Sequence, residues 1–132
     1  MARYAEKTKV PVSRTRDEIE KTLTRYGAEQ FIYGHDADRA VIGFTMRDRQ
    51  VRFYLPIGGL SEQEVRQRWR ALALAIKSKL ESAESEIETF DEAFLAQIVL
   101  PNGQRAGDFM APQIEAAYRS GDMPALLPKP TD

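Results

Sequence analysis

AVIGFTMRDRQVRFYL, residues 40–55, is the stretch on which the fold turns. Ala40, Ile42, Phe44 and Met46 alternate with Val41, Gly43 and Thr45, and Val51, Phe53 and Leu55 alternate with Arg52 and Tyr54. A period of two is the mark of a strand with one buried face, and RDRQ (47–50) is short enough to join two such strands antiparallel. Just upstream, Ala28 to Tyr33 reads as another strand, connected by the turn-rich GHDADR (34–39). The economical arrangement is an antiparallel meander with one apolar and one mixed face.

Helices flank the meander. On the N-terminal side Thr15-x-x-Glu18 has the form of a capping box, Ile19, Leu23 and Tyr26 follow at helical spacing, and Gly27 suits a left-handed stop. This predicts a helix over 15–26 after a short extended piece at Lys9 to Val12. On the C-terminal side Pro56 ends the third strand, Gly58-Gly59 breaks the chain, and Ser61-x-x-Glu64 is a second capping box. Val65, Trp69, Leu72, Ile76, Leu80, Ala83 and Ile87 then step by three or four, predicting a long amphipathic helix to about residue 85 that lies across the apolar sheet face.

Phe90 to Ile98 reads as a further helix, and VLPNGQRA (99–106) carries the Asn-Gly hairpin signal, with Pro101 unfavourable to pairing. A last helix is expected over 108–119, with Ile114, Ala117 and Tyr118 on it and Gly121 closing it. The apolar, proline-rich tail at 123–130 is expected to pack back or to meet a partner. The fold class is therefore α+β: a helix, a three-stranded antiparallel meander, a long amphipathic helix packed on the sheet, then further C-terminal helices. One domain spans 1–132, with helix and sheet in 1–60, the long helix region in 61–98, and hairpin, short helix and tail in 99–132.

Composition narrows the chemistry. The 132 residues are 42% hydrophobic and 30% charged, as in an ordinary folded domain, and contain no cysteine, which removes disulfides, thiol nucleophiles, Fe–S clusters and cysteine zinc sites. No window resembles a membrane span or a secretory signal. The single histidine, His35, falls in an inter-strand loop; no serine sits in a G-x-S-x-G turn; and Gly58-Gly59 lacks the lysine of a phosphate-cradling loop, while Glu62 and Glu64 repel an anion there. No catalytic residue, cofactor or resident metal is indicated, and an enzyme is the less favoured class.

The net charge of -1 conceals a split. Residues 1–79 hold 16 basic and 10 acidic side chains, and residues 80–132 hold 3 basic and 10 acidic. On a helix Arg66, Arg70 and Lys77 fall within about 40° of one another beside the apolar stripe, and Arg68 and Lys79 flank its other edge. Arg47, Arg49 and Arg52 gather at the second hairpin, and Arg52 and Tyr54 project from the face opposite Phe53. Arginine beside an exposed aromatic is what single-stranded nucleic acid uses: bases stack on rings while guanidinium meets phosphate. The structural alternative is that these cations snorkel over apolar surface and pair at i,i+4, as Glu62/Arg66 and Glu64/Arg68 are spaced to do.

The carboxylates Glu81, Glu84, Glu86, Glu88, Asp91 and Glu92 crowd the start of the acidic half. Glu81, Glu84 and Glu88 share a face if the helix continues, so a Mg²⁺ or Mn²⁺ site is conceivable, although a run of glutamates is more often a solvated face.

Three stretches, YGAEQFIYGHDADRAVIGF (26–44), RWRALALAIKSKLESAESEIETFDEAFLAQIVLPNG (68–103) and PQIEAAYRSGDMPALLP (112–128), together resemble a group of small proteins encoded in tailed-bacteriophage and prophage genomes. The group has no established activity to carry over, so the resemblance implies only a phage product acting in the bacterial host cytoplasm. The order helix, meander, helix is also similar to double-stranded RNA-binding domains and to the core of single-strand annealing proteins. Where those RNA-binding domains place lysines at the start of the second helix, this chain has SEQE (61–64).

Two function classes follow. In the first, a non-catalytic phage accessory protein binds DNA or RNA, in recombination, replication or annealing, through Arg47, Arg49, Arg52, Tyr54, Arg66, Arg70 and Lys77. In the second, a protein-binding inhibitor of a host defence or nucleic-acid-handling machine, such as an anti-CRISPR, presents Glu81, Glu84, Glu88, Asp91 and Glu92 as phosphate mimics. Self-association through Leu74 or the tail is compatible with both.

Overall fold

The computed structural model describes residues 9–123. Its elements are α1 (Val12–Arg25), β1 (Glu29–His35), β2 (Arg39–Met46), β3 (Arg49–Pro56), α2 (Glu62–Glu84), α3 (Phe90–Ala93), a 3₁₀ turn at Leu95–Gln97, and α4 (Ala106–Ser120). The strands form one antiparallel sheet in the order β1-β2-β3, and the architecture is α+β as the alternation predicts. The proline-rich stretch beyond Met123 lies outside the described residues.

Helix α1 starts earlier than its sequence signal. Pro11 is the N-cap, its carbonyl accepting from the amides of Arg14 and Thr15, and Thr15 lies inside the first turn, fully buried, with no partner for Oγ1. Thr15, Ile19 and Leu23 are the buried stripe at i, i+4, i+8, so the Thr15/Glu18 box does not form. Gly27, at φ +99°, closes the helix in a Schellman arrangement, with Ala28 N–H donating to Leu23 O and Gly27 N–H to Thr24 O.

Along β2 the residues Ala40, Ile42, Phe44 and Met46 are buried, as are Val51, Phe53 and Leu55 of β3. In β1 the register slips by one residue between Glu29 and Ile32, where Gln30 takes φ +56°. This bulge turns Phe31 and Tyr33 inward and Ile32 outward. The β2–β3 loop is only Arg47-Asp48, both at positive φ, between the paired Met46 and Arg49. That is the type I′ hairpin, which normally demands Asn-Gly.

Helix α2 begins in the expected capping box: Glu64 N–H donates to Ser61 Oγ at 3.2 Å and Ser61 N–H to Glu64 Oε1 at 3.0 Å. Trp69, Leu72, Ile76 and Leu80 are buried against α1 and the apolar sheet face. The helix stops at Glu84, and Glu86 reverses the chain at φ +63°. Ile87 therefore leaves the stripe and is 78% exposed, contrary to the periodic pattern.

The single helix expected over 90–98 is instead one capped turn, α3, followed by the 3₁₀ turn. Its cap is a third box, Thr89/Glu92. Phe94 between the two pieces is fully buried, stacked on Phe90 with centroids 4.8 Å apart and edge-on to Phe44 at 6.2 Å and Phe53 at 6.3 Å. The chain then pairs along the free edge of β3, with Ile98 bridged to Val51 and Val99 N–H donating to Gln50 O.

The Asn-Gly hairpin is present. Leu100 N–H donates to Gln104 O, Gly103 N–H to Leu100 O, and Val99 bridges Arg105. Pro101 occupies the first corner of this turn, where its fixed φ is favourable, so it assists the hairpin. Helix α4 follows and closes at Gly121, φ +78°, two residues longer at its start than its pattern predicts and with no buried residue.

Two stability measurements check these packing arguments. Phe94→Ala should cost about 3–5 kcal/mol in urea unfolding, as the loss of a buried aromatic leaves a cavity among three rings. Asp48→Gly should instead raise stability by about 0.5–1 kcal/mol by removing a left-handed non-glycine residue from a type I′ turn.

Candidate nucleic-acid interface

Strand alternation sends Arg39, Val41, Gly43, Thr45, Arg52 and Tyr54 to the sheet face away from the helices. Ile32, 66% exposed, shows that no element covers this part of the face. A shallow depression of about 180 Å³ lies on it, lined by Gln30, Ile32, Val41, Thr45, Gln50 and Arg52 among others. Three strands about 4.8 Å apart give a floor roughly 10–15 Å wide, suited to one extended chain.

Tyr54 is the centre of the charged end of this face. The Arg39 guanidinium carbon lies 4.0 Å from its ring centroid and that of Arg105 4.3 Å, while Arg52 Nη1 donates to the phenol oxygen at 3.3 Å. Arg39 comes from the neighbouring strand, one pleat away from the Val41–Tyr54 pair, and Arg105 from the hairpin beyond the opposite edge of β3. Arg39 thus arrives from the β2 side of Tyr54 and Arg105 from beyond the β3 edge. Arg105 Nη1 also reaches Arg52 O at 3.5 Å, and its Nε and Nη2 form a two-pronged pair with Asp108 at 2.9 and 3.1 Å. The Arg105 guanidinium, with a smaller contribution from Arg39, holds the Asp108 carboxyl below the usual aspartate range. No carboxylate among the described residues forms an ion pair with Arg39 or Arg52.

The other basic residues expected at an interface lie elsewhere. At the β2–β3 turn Arg49 is held by Asp91, with Nε–Oδ1 at 3.2 Å and Nη2–Oδ2 at 3.1 Å, and the Arg47 guanidinium carbon lies 5.8 Å from the Phe90 ring centroid. These arginines fasten the turn to α3. Arg70 pairs with Glu18 of α1 at 2.7 Å, and Arg66 donates to Gln63 at 2.7 Å while its Nε is buried without a partner. Lys77 lines a depression of about 320 Å³ between α1 and α2, with Lys21, Arg25, Arg70 and Leu74. Arg70 and Lys77 are on the helix layer, so they and the Arg52/Tyr54 pair occupy different sides of the molecule. Arg68 and Lys79 cap main-chain carbonyls, at Pro56 and Ala93.

The acidic residues also divide. Asp91 is the partner of Arg49 and Glu92 is the capping carboxylate of Thr89. Glu84, Glu86, Glu88 and Glu92 line one depression of about 550 Å³ together with Arg47 and Ile87. Glu81 is exposed on α2. Because α2 stops at Glu84, Glu88 does not share a helical face with Glu81 and Glu84, and no group of three acidic or histidine residues among those described is arranged to hold a metal. His35 ends β1, exposed.

Arg39 and Arg105 are the members that motif reading passes over. Arg39 reads as the last residue of the GHDADR turn, yet it shares parity with Val41 and Gly43, and that alternation is the signal that places it. Arg105 is brought to Tyr54 by tertiary structure across 51 residues of chain, for which no local pattern exists. Comparison with protein-family models, curated proteins and solved structures gives no match. No helix among the described residues is long and apolar enough to cross a membrane.

The carboxylates tied to main-chain amides and guanidinium groups predict an acid-sensitive stability. Asp36 is lowered by the backbone amides of Arg39 and Asp38, Glu64 by the amide and hydroxyl of Ser61, and Asp108 by Arg105. A lowered folded-state pKa stabilises above the ordinary carboxylate value, about 4, and that stabilisation is lost as pH falls through and below it. The melting temperature should fall from about pH 5 downward, with a shallower fall in Glu64→Gln.

Proposed function

We propose that this protein is a non-catalytic nucleic-acid-binding protein that acts through the open, arginine-bearing face of its sheet. The observation that carries this reading is the convergence of Arg39, Arg52 and Arg105 on Tyr54, at one end of a sheet face that is open around Ile32. Three guanidiniums against two carboxylates, Asp108 paired with Arg105 and Asp36 in the field of Arg39, leave a small local positive surplus in a protein of nearly neutral total charge. The extended floor beside it suits a DNA or RNA strand. With the resemblance to phage-encoded proteins, the setting we propose is the cytoplasm of an infected bacterium, in recombination, replication or annealing.

A second reading rests on the acidic depression. Glu84, Glu86, Glu88 and Glu92 surround the exposed Ile87, a combination fitted to a basic, partly apolar protein surface such as a nucleic-acid channel of a host defence machine. Arg47 in the same depression and the use of Glu92 as a cap reduce the charge on offer, so we place this reading second.

Binding of labelled single- and double-stranded oligonucleotides at two salt concentrations tests the first reading. Three phosphate contacts on a single strand give a slope of log K against log salt of about −2, and Arg39→Ala or Arg52→Ala should each reduce it by about 0.7. Arg49→Ala, whose partner is Asp91, should leave the slope unchanged. Absence of binding at low salt to either oligonucleotide ends the nucleic-acid reading.

A further inference from the structure

We propose that the Tyr54 cluster is a phosphate site and not a base-stacking platform, and that in the free protein the Asp108 carboxylate occupies the place of the phosphate on Arg105. This rests on the nucleic-acid reading and specifies which part of the strand is recognised.

The argument begins with the ring. An aromatic side chain on an open sheet face would ordinarily be taken as a surface for bases. Here guanidinium carbons stand 4.0 and 4.3 Å from the Tyr54 centroid, arriving from the β2 side and from beyond the β3 edge, and the phenol oxygen accepts from Arg52. Two guanidiniums this close to one ring occupy the space that a stacked base would need. A guanidinium that stacks on a ring uses its π face and keeps its N–H edges for hydrogen bonds. The cluster thus offers fixed donor edges, which is the chemistry of a phosphodiester oxyanion.

The second step concerns what those edges now hold. Asp108 grips Arg105 with both oxygens, the fork-to-fork geometry that a phosphate also adopts. Its carboxyl lies in the field of Arg39 as well as Arg105. Asp108 sits in the first turn of α4, a helix with no buried residue, packed on the 3₁₀ turn through the close approach of Gly107 to Ala96. The carboxylate is exposed, so a phosphate has access to the same edges. A strand binding here exchanges one anion for another on Arg105 and meets in Arg39 a guanidinium that stacks on the ring without an ion pair.

The test uses the full chain and three ligands in fluorescence anisotropy: labelled oligo-dT, an abasic strand of the same length and backbone, and inorganic polyphosphate as unlabelled competitor. Phosphate recognition predicts that the abasic strand binds within about threefold of oligo-dT, because the contacts are to backbone. It predicts that polyphosphate displaces oligo-dT at comparable phosphate concentration. Asp108→Asn removes the internal competitor and should tighten binding several-fold at low salt, with melting curves confirming that the variant is folded. Arg39→Lys keeps the charge but not the stacked fork, and should weaken binding while leaving the salt slope near its original value. A tenfold or greater loss on the abasic strand, the effect expected of a stacked base, overturns the proposal while leaving nucleic-acid binding intact. Unchanged affinity in folded Asp108→Asn, or failure of polyphosphate to compete, overturns it as well. Absence of binding to every ligand overturns both this proposal and the function on which it rests.

Discussion

Phe94 is the constraint on which the C-terminal third of the structure depends. Its ring closes the apolar side of the sheet against Phe44 and Phe53 and stacks on Phe90, fully removed from water. Burial of a whole aromatic side chain is worth about 1.5–3 kcal/mol, and edge-to-face contacts add to it. With Phe94 fixed, the next residues can leave only along the free edge of β3, where Ile98 and Val99 satisfy backbone groups that an edge strand would otherwise expose. The hairpin at 100–104 then delivers Arg105 to Tyr54. An aromatic contact in the core thus assembles a cationic site on the opposite face.

The division of charge between the two halves takes on a different meaning in three dimensions. Read along the helix, it places a basic stripe and an acidic stripe end to end on one element. In the structure the halves partly neutralise each other: Arg49 of the basic half meets Asp91 of the acidic half. Within the halves, Arg70 meets Glu18, and Arg105 meets Asp108. Lys79 and Arg68 are absorbed by main-chain carbonyls. Exposed pairs of this kind contribute little stability, commonly below about 1 kcal/mol, yet they decide which cations remain for a ligand. Among the described residues Arg39 and Arg52 remain on the sheet without an ion pair, as do Lys21, Arg25 and Lys77 on the helix layer, and the sheet pair is the one gathered on an aromatic ring.

The elements that sequence describes well are those whose stabilisation is local and periodic. Alternation over 40–55 gives both strands with the correct inward residues, and Ser61/Glu64 gives the start of α2, because both depend on contacts within a few residues. Thr15 fails the same test. A buried hydroxyl at the head of an apolar stripe cannot also cap the helix, and the N-cap position falls to Pro11, which brings no side-chain cap. Ile87 continues a helical spacing past a helix that has already ended at Glu84, since Glu86 takes a left-handed conformation that propensity does not favour. At the site, Arg52 and Tyr54 are legible from parity alone. Arg105 is not, because its position depends on Phe94 and the β3 edge.

Tyr54 explains why such a site can exist without a ligand. A long arginine side chain loses about 2 kcal/mol of rotamer freedom when it is ordered, and an unliganded arginine on a surface normally keeps that freedom. Stacking on an aromatic ring contributes about 0.5–1 kcal/mol at an exposed position, enough to favour one arrangement without removing the charge from water. Two guanidiniums on one ring repel each other, and Asp108 offsets that repulsion from the Arg105 side. The tyrosine hydroxyl adds an acceptor for a third. Ordering that stacking offsets in the free protein is ordering that binding need not supply in full, and this is the sense in which the ring serves recognition without touching the ligand.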